Sequence, residues 1–262
     1  MTDTGRRALV TGGAGFIGSH LVDRLLLDGY AVCVVDDLSS GSASNLPAGA
    51  RFERADICDV DALRQIVAGF RPEVVFHAAA QTDVRRSIRE PDFDARVNVL
   101  GALNVLRAAV AAGARRIVYA SSAAVYGDPE RLPVSERDAT RPISEYGASK
   151  LAFEHYLSAH GARGLIEYAA LRYANVYGPR QRGDGEAGVV AIFTQRMLGG
   201  EPVTIPRRGH VFQRPRVKSG NSAGRLPFAT DHSDSGVTAL MATASYTFMS
   251  VGRPSRRHLM SR

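Results

Sequence analysis

The run Thr11-Gly12-Gly13-Ala14-Gly15-Phe16-Ile17-Gly18 narrows what this chain can fold into more than any other feature. It stands between a short apolar stretch, Arg7–Thr11, and a segment from Gly18 to Leu27 whose apolar residues recur at helical spacing. The glycines satisfy G-x-G-x-x-G at 13, 15 and 18, and G-x-x-G-x-x-G at 12, 15 and 18. Such a turn needs backbone that tolerates positive φ and carries no Cβ where a pyrophosphate approaches. The helix that follows offers free N–H groups and the positive end of its dipole to phosphates. Strand, glycine loop and helix together predict the first unit of a dinucleotide-binding sheet.

The rest of the first two thirds keeps that rhythm. Further strands are predicted at 31–35, ending near Ala55, at 74–77, 117–120 and 169–173. Helices are predicted at 61–68, over the long stretch Phe93–Ala112, and at 146–159. Continuous apolar strands alternating with helices imply a parallel sheet covered on both faces, an α/β fold of the doubly wound Rossmann type. With 262 residues, 45% of them hydrophobic, the chain can bury a sizeable core. After Tyr173 the pattern loosens into one more helix, 186–198, and the start of a strand at 203–205. The predicted organisation is a dinucleotide-binding domain over 1–175, a partial substrate-binding region over 176–205, and an atypical basic tail over 206–262.

Val34-Val35-Asp36 ends the second strand 18 residues after Gly18. A carboxylate there can accept the adenosine ribose hydroxyls and would repel a 2′-phosphate, which selects NAD over NADP. Asp56 and Ile57, after the third strand, are placed to flank the adenine. Ala78, Ala79 and Ala80, after the fourth, are small where backbone must pass close to a dinucleotide. His77 reads as a satisfied strand-end residue rather than a ligand.

Tyr146-Gly147-Ala148-Ser149-Lys150 places a phenol and an ammonium four residues apart on one helical face. An unperturbed Tyr titrates near ~10. Positive charge from Lys150 and an oxidised nicotinamide is expected to favour the phenolate and bring it toward usable base strength. Upstream, Ser122 closes the fifth strand at the carboxyl edge of the sheet, where ligands bind in such folds. It can share a proton with the same substrate hydroxyl as Tyr146.

The composition excludes several classes. No apolar run approaches the ~20 residues that span a bilayer, and no apolar stretch follows the polar lead Thr2–Arg7, so a cytoplasmic location without a secretory leader is expected. Cys33 and Cys58 have neither disulfide-framework nor metal-ligand spacing, and no metal site is expected. The net charge of +7 suggests nucleic acid until it is located. From Pro206 to Arg262 ten Lys or Arg stand against two acids, so the body is near neutral and the basicity belongs to the tail. With few aromatics and no recognised motif there, nucleic-acid binding is not expected.

These motifs resemble the extended short-chain dehydrogenase/reductases, which include the NAD-dependent epimerases and dehydratases of nucleotide sugars. The likeness rests on T-G-G-A-G-F-I-G-S-H, V-V-D-D-L, H-A-A-A-Q, V-N-V-L-G, S-S-A-A-V-Y-G, Y-G-A-S-K and L-R-Y-A-N-V-Y-G-P-R-Q, in order from residue 7 to about 205. The resemblance implies that Gly12, Gly15, Phe16, Ile17 and Gly18 contact the pyrophosphate of NAD. It implies that Asp36 holds the ribose, Asp56 and Ile57 the adenine, that Asn98 and Ala78–Gln81 line the cofactor, and that Lys150 grips the nicotinamide ribose. Ser122 and Tyr146 would act on the sugar, Asn175 would hold the substrate diphosphate and Val189 would face the nucleotide base.

Within that family, 4,6-dehydratases carry Asp-Glu just after the catalytic Ser or Thr, because water elimination needs an extra acid and base. Here Ala123 and Ala124 stand there, which leaves a UDP-hexose 4-epimerase as the implied activity, acting by transient oxidation at C4. A silent NAD-binding relative, or a dehydratase or decarboxylase of nucleotide sugars, is the alternative. Helices 93–112 and 146–160 resemble the pair through which the family dimerises. After Ile205 the family's Gly-Asp-Gly turn, Arg-Asp-Phe strand and N-x-G-x-G strand do not follow, and Arg214 lacks the Asp-Phe that would make it the phosphate-binding arginine. A reading-frame change near residue 205 would account for both the lost periodicity and the basic tail. The expectation is an incomplete C-terminal substrate domain, an uncovered sheet edge, and a cofactor-binding core with little turnover.

Overall fold

In a computed structural model of the chain, the described residues are 5–182, 189–201, 203–204, 211–212 and 250–251. Six parallel strands form the central sheet: β1 (Arg7–Thr11), β2 (Ala31–Asp36), β3 (Arg51–Arg54), β4 (Val74–His77), β5 (Arg116–Ser122) and β6 (Glu167–Tyr173). Their order is β3-β2-β1-β4-β5-β6, so the winding reverses between β1 and β4. A crevice opens at that reversal, beyond the carboxyl ends of the strands.

Apolar residues on successive positions of a strand point to opposite faces, so each strand feeds two cores. Ala8, Val10 and Val34 pack with Val22 and Leu25 of helix α1 (Phe16–Leu27) on one face. Leu9, Val35, Val75, Ile117 and Tyr119 pack on the other with residues of α2 (Val60–Phe70), α5 (Ala102–Ala111) and α6 (Glu145–Ala162). Among those partners Leu63, Leu106, Phe153 and Leu157 are fully buried. Burying each such side chain stabilises the fold by roughly 1.5–3 kcal/mol. Local signals set the helix ends: the Asp59 carboxylate accepts from Ala62 N at the start of α2, and Ser144 Oγ accepts from Gly147 N at the start of α6.

The sheet and its two faces agree with the sequence reading, and two elements do not. The predicted helix over Phe93–Ala112 is instead α4 (Pro91–Ala95), a turn of π-helix over Arg96–Gly101, and α5. Apolar periodicity registers the face a helix buries but not one residue inserted into it. The π turn spans Asn98, which is buried and bonded to Gln81. A short helix, α3 (Val84–Arg89), escaped the sequence reading, although Asp83 caps it by accepting from Arg86 N.

Beyond Tyr173 the described residues pass into a second unit, which begins at Val176. It holds α7 (Val189–Leu198) and a two-stranded antiparallel ribbon of β7 (Val203–Thr204) and β8 (Val211–Phe212). The two-residue β9 (Ser250–Val251) pairs antiparallel with Ala170 and Leu171 of β6, so the expected bare edge is covered over two residues. Apart from residues 211–212 and 250–251, the expectations for 206–262 lie outside the described residues. No helix among the described residues is long and apolar enough to cross a membrane.

Candidate active site

The glycine loop crosses the carboxyl end of β1 and runs against the segment after β4. Gly12 has φ of 72°, and a Cβ there would lie 2.5 Å from Ala79 N. A Cβ on Gly18 would run into the Gly12 carbonyl oxygen. The loop is therefore closed by backbone packed on backbone, which only glycine permits at these points. Helix α1 starts at Phe16 with Gly15 as its N-cap and no side chain capping it. The first N–H groups of a helix have no intrahelical partner, which suits such an uncapped end to an anion.

At the end of β2, Asp36 is buried, with Oδ2 accepting from Ala14 N at 2.9 Å and Oδ1 from Leu38 N at 2.8 Å. Burial raises its pKa, and these two donors oppose the rise. A carboxylate has about four acceptor positions, so two remain for ribose hydroxyls. Asp56 is exposed and turns its carboxylate to Cys58 N, while Ile57 beside it is buried in the core. The glycine cradle, the uncapped helix end and the β2 carboxylate fit an adenine dinucleotide.

Ser122 ends β5, and Tyr146 lies in the first turn of α6. Ser122 Oγ accepts from Ala124 N at 3.1 Å, the first bond of the short turn Ala123–Tyr126. Tyr146 is half-buried, and its backbone N–H donates to Ser87 Oγ at 3.1 Å. Burial, the largest influence, raises the Tyr146 phenol above its ordinary pKa; a hydrogen bond with Ser122 lowers it and Asp94 raises it. Desolvation penalises the phenolate and opposes the help that the sequence reading expected from positive charge. Lys150 is buried, its Nζ donating to Ala120 O at 3.0 Å and lying 5.6 Å from the centre of the Tyr146 ring. Burial lowers its pKa to about 8, with Asp94 opposing.

Behind these groups stand Asn98, which the sequence reading named, and Asp94, Glu154 and Arg172, which it passed over. Asn98 Oδ1 accepts from Gln81 N at 2.9 Å, and its Nδ2 donates to Gln81 O and Asp94 Oδ1, both at 2.9 Å. Its amide therefore anchors the Ala78–Gln81 segment from behind. Glu154 and Arg172 pair in the interior, and Ser121 and Tyr126 join them. Acids at helical positions read as solvated faces, and only the three-dimensional packing shows Asp94 and Glu154 to be buried. His77 is satisfied, bonded through Nδ1 to Thr11 Oγ1 at 2.7 Å and kept neutral by burial with a pKa of about 3. Asn175 is exposed just past β6, and Val189 opens α7 in the second unit. Among the described residues no cluster suited to a metal ion occurs.

Comparison with known proteins decides the family, since residues 8–236 match the NAD dependent epimerase/dehydratase family. The chain belongs to that family. This member is 49% identical over 205 residues to the UDP-glucose 4-epimerase of Mycolicibacterium smegmatis, covering 76% of this chain and 65% of the relative. Its fold matches the UDP-glucose 4-epimerase of Thermotoga maritima, solved with UDP-glucose, at a TM-score of 0.75 and 47% identity, over 78% of this chain and 66% of that one. The UDP-glucose 4-epimerase of Thermus thermophilus, solved with NAD, matches at 0.73 and 49% identity, over 76% and 65%. This epimerase/dehydratase family chain spans about 65% of the length of the Mycolicibacterium relative.

Proposed function

We propose that this protein is an NAD-dependent UDP-hexose 4-epimerase. The observation that carries the reading is the hydrogen bond between Ser122, at the carboxyl end of β5, and the Tyr146 phenol, with Ala123 and Ala124 next to Ser122. A dehydratase needs an acid and a base at those two positions, and two methyl side chains move no protons. Relatives solved with NAD and with UDP-glucose support the same choice of cofactor and substrate.

Gly12, Gly15, Phe16, Ile17 and Gly18 would hold the pyrophosphate, and Asp36 the adenosine ribose. When bound, NAD supplies reversible oxidation of a carbinol carbon. Tyr146 takes the proton of the sugar 4-hydroxyl and later returns it. Ser122, bonded to the same phenol, holds that hydroxyl in line and shares the proton. Because burial keeps Tyr146 protonated in the free protein, the base forms only when positive charge gathers beside it. Lys150 provides part of that charge from its anchor on Ala120 O, and the oxidised nicotinamide provides the rest. Asn175 and Val189 are proposed for the diphosphate and the base of the substrate.

A homodimer through the stretch 93–112 and α6 belongs to the same reading, supported by the exposed Leu100 in the π turn and Tyr156 on α6. So does a cytoplasmic location, which the two free thiols favour. Turnover of UDP-galactose, measured beside an NAD titration, tests the proposal. Binding of NAD without interconversion of UDP-galactose and UDP-glucose would instead make the protein a silent relative.

A further inference from the structure

A buried carboxylate beside the cofactor segment has no task in the reaction just described. Asp94 is 1% exposed and lies in α4, ahead of the π turn. Its Oδ1 accepts from Gln81 Nε2 at 3.0 Å and from Asn98 Nδ2 at 2.9 Å. Asn98 in turn clamps both the N–H and the carbonyl of Gln81, and its Nδ2 reaches Ser149 Oγ at 3.3 Å on α6. Gln81 closes the segment whose Ala79 lies against Gly12. One carboxylate oxygen thus orders the floor of the cofactor crevice.

The same charge acts on Lys150. Around that ammonium, β4 contributes His77, which is neutral, and β5 contributes Tyr119, whose phenol burial holds well above its ordinary pKa. From α6 come Tyr146, also raised, and Glu154, one turn on, which is bound to Arg172. Asp94 is the carboxylate of this set that no cation among the described residues neutralises by contact, and it favours the Lys150 cation against burial. An ionised carboxylate is costly to bury without such an answering charge.

We propose that Asp94 is a positioning residue for the dinucleotide, ordering Gln81 and Asn98 and holding Lys150 as a cation where the nicotinamide ribose would lie. The inference rests on the cofactor reading above.

The chain has two lysines, Lys150 and Lys218, so lysine labelled with 13C at Cε gives two resonances, and Lys150→Arg assigns them. Asp94→Asn removes the charge while keeping the shape and an acceptor oxygen. In the unaltered protein the Lys150 signal is expected to titrate near pH 8. In Asp94→Asn it is expected about one unit lower, with Lys218 unmoved. NAD affinity would then fall about threefold at pH 7.5 and hold at pH 6, following the cationic fraction of Lys150. Asp94→Ser is the second neutral variant, should circular dichroism show that the amide does not fold. A Lys150 titration unchanged in the folded neutral variant, with NAD binding intact, overturns this inference alone. Absence of NAD binding by the unaltered chain overturns the cofactor reading and the positioning role together.

Discussion

Arg172 and Glu154 form an ion pair in the interior, Nη2 to Oε2 at 2.6 Å, with side-chain exposures of 6% and 7%. The pair spans β6 and α6. Ser121 donates to the same Glu154 carboxylate from β5, and Arg172 Nη1 reaches the Tyr126 hydroxyl at 2.7 Å. The elements that carry Ser122, Tyr146 and Lys150 are therefore tied together directly beneath the reacting groups. Most other ion pairs among the described residues, such as Arg24–Asp28, lie on the surface.

Glu154→Gln leaves a buried guanidinium without its counter-charge. Urea unfolding is expected to show a loss of about 3–5 kcal/mol. The joint change Glu154→Leu with Arg172→Met should recover much of it, because two apolar groups need no partner. Neutralising Asp28 at the surface pair, as the comparison, is expected to cost under about 1 kcal/mol. Equal losses for Glu154→Gln and the surface variant would contradict the reading of an interior pair.

Gly12→Ala introduces a Cβ 2.5 Å from Ala79 N at a residue whose φ is 72°. The loop can accommodate it only by moving away from the segment after β4. NAD affinity is expected to fall at least about 100-fold, a loss of roughly 3 kcal/mol, with the far-ultraviolet circular dichroism of the sheet retained. Isothermal titration checks it, and a variant that binds NAD as tightly as the parent would refute the cradle.

His77 has a pKa of about 3 in the fold, below the ordinary value of 6.5, because burial penalises the imidazolium. The unfolded chain takes up this proton more readily than the folded one. The residue's contribution to stability is therefore present above pH 6.5 and lost as pH falls from 6.5 toward 3. The slope from this one group is at most about 1.4 kcal/mol per pH unit. Unfolding free energies measured across that window should lose this share in His77→Leu, which no longer titrates. An unchanged slope in that variant would show that another group carries the dependence.

What was legible in the sequence follows from which forces act locally. The strands of the parallel sheet are buried on both faces, so Val32 to Val35 form an unbroken apolar run that no surface element needs. The glycine loop was legible because strand, turn and helix are contiguous in sequence, with Gly18 set against the Gly12 carbonyl inside that unit, although Gly12 itself answers to Ala79 after β4. Tyr146 and Lys150 were legible because a single helix fixes their spacing. Asn98 was named as lining the cofactor, yet its amide is spent on Gln81, Asp94 and Ser149, contacts made across a π turn that periodicity does not encode. Asp94, Glu154 and Arg172 are charged residues whose buried partners include side chains 13 to 46 positions away. Their chemistry is tertiary, and a helical wheel assigns Asp94 and Glu154 to solvent. Burial of the Tyr146 phenol was not legible for a related reason: spacing shows the nearby cation, whereas desolvation depends on everything packed around the ring.

The proposed chemistry stands or falls on the Tyr146 phenol. Interconversion of UDP-galactose and UDP-glucose should be followed for the NAD-loaded protein and for Tyr146→Phe, with NAD affinity measured on both. The expected result is turnover in the parent, a loss of about 100-fold or more in the variant, and NAD affinity within about twofold between them. Equal turnover in the variant, or none in an NAD-loaded parent, would contradict it.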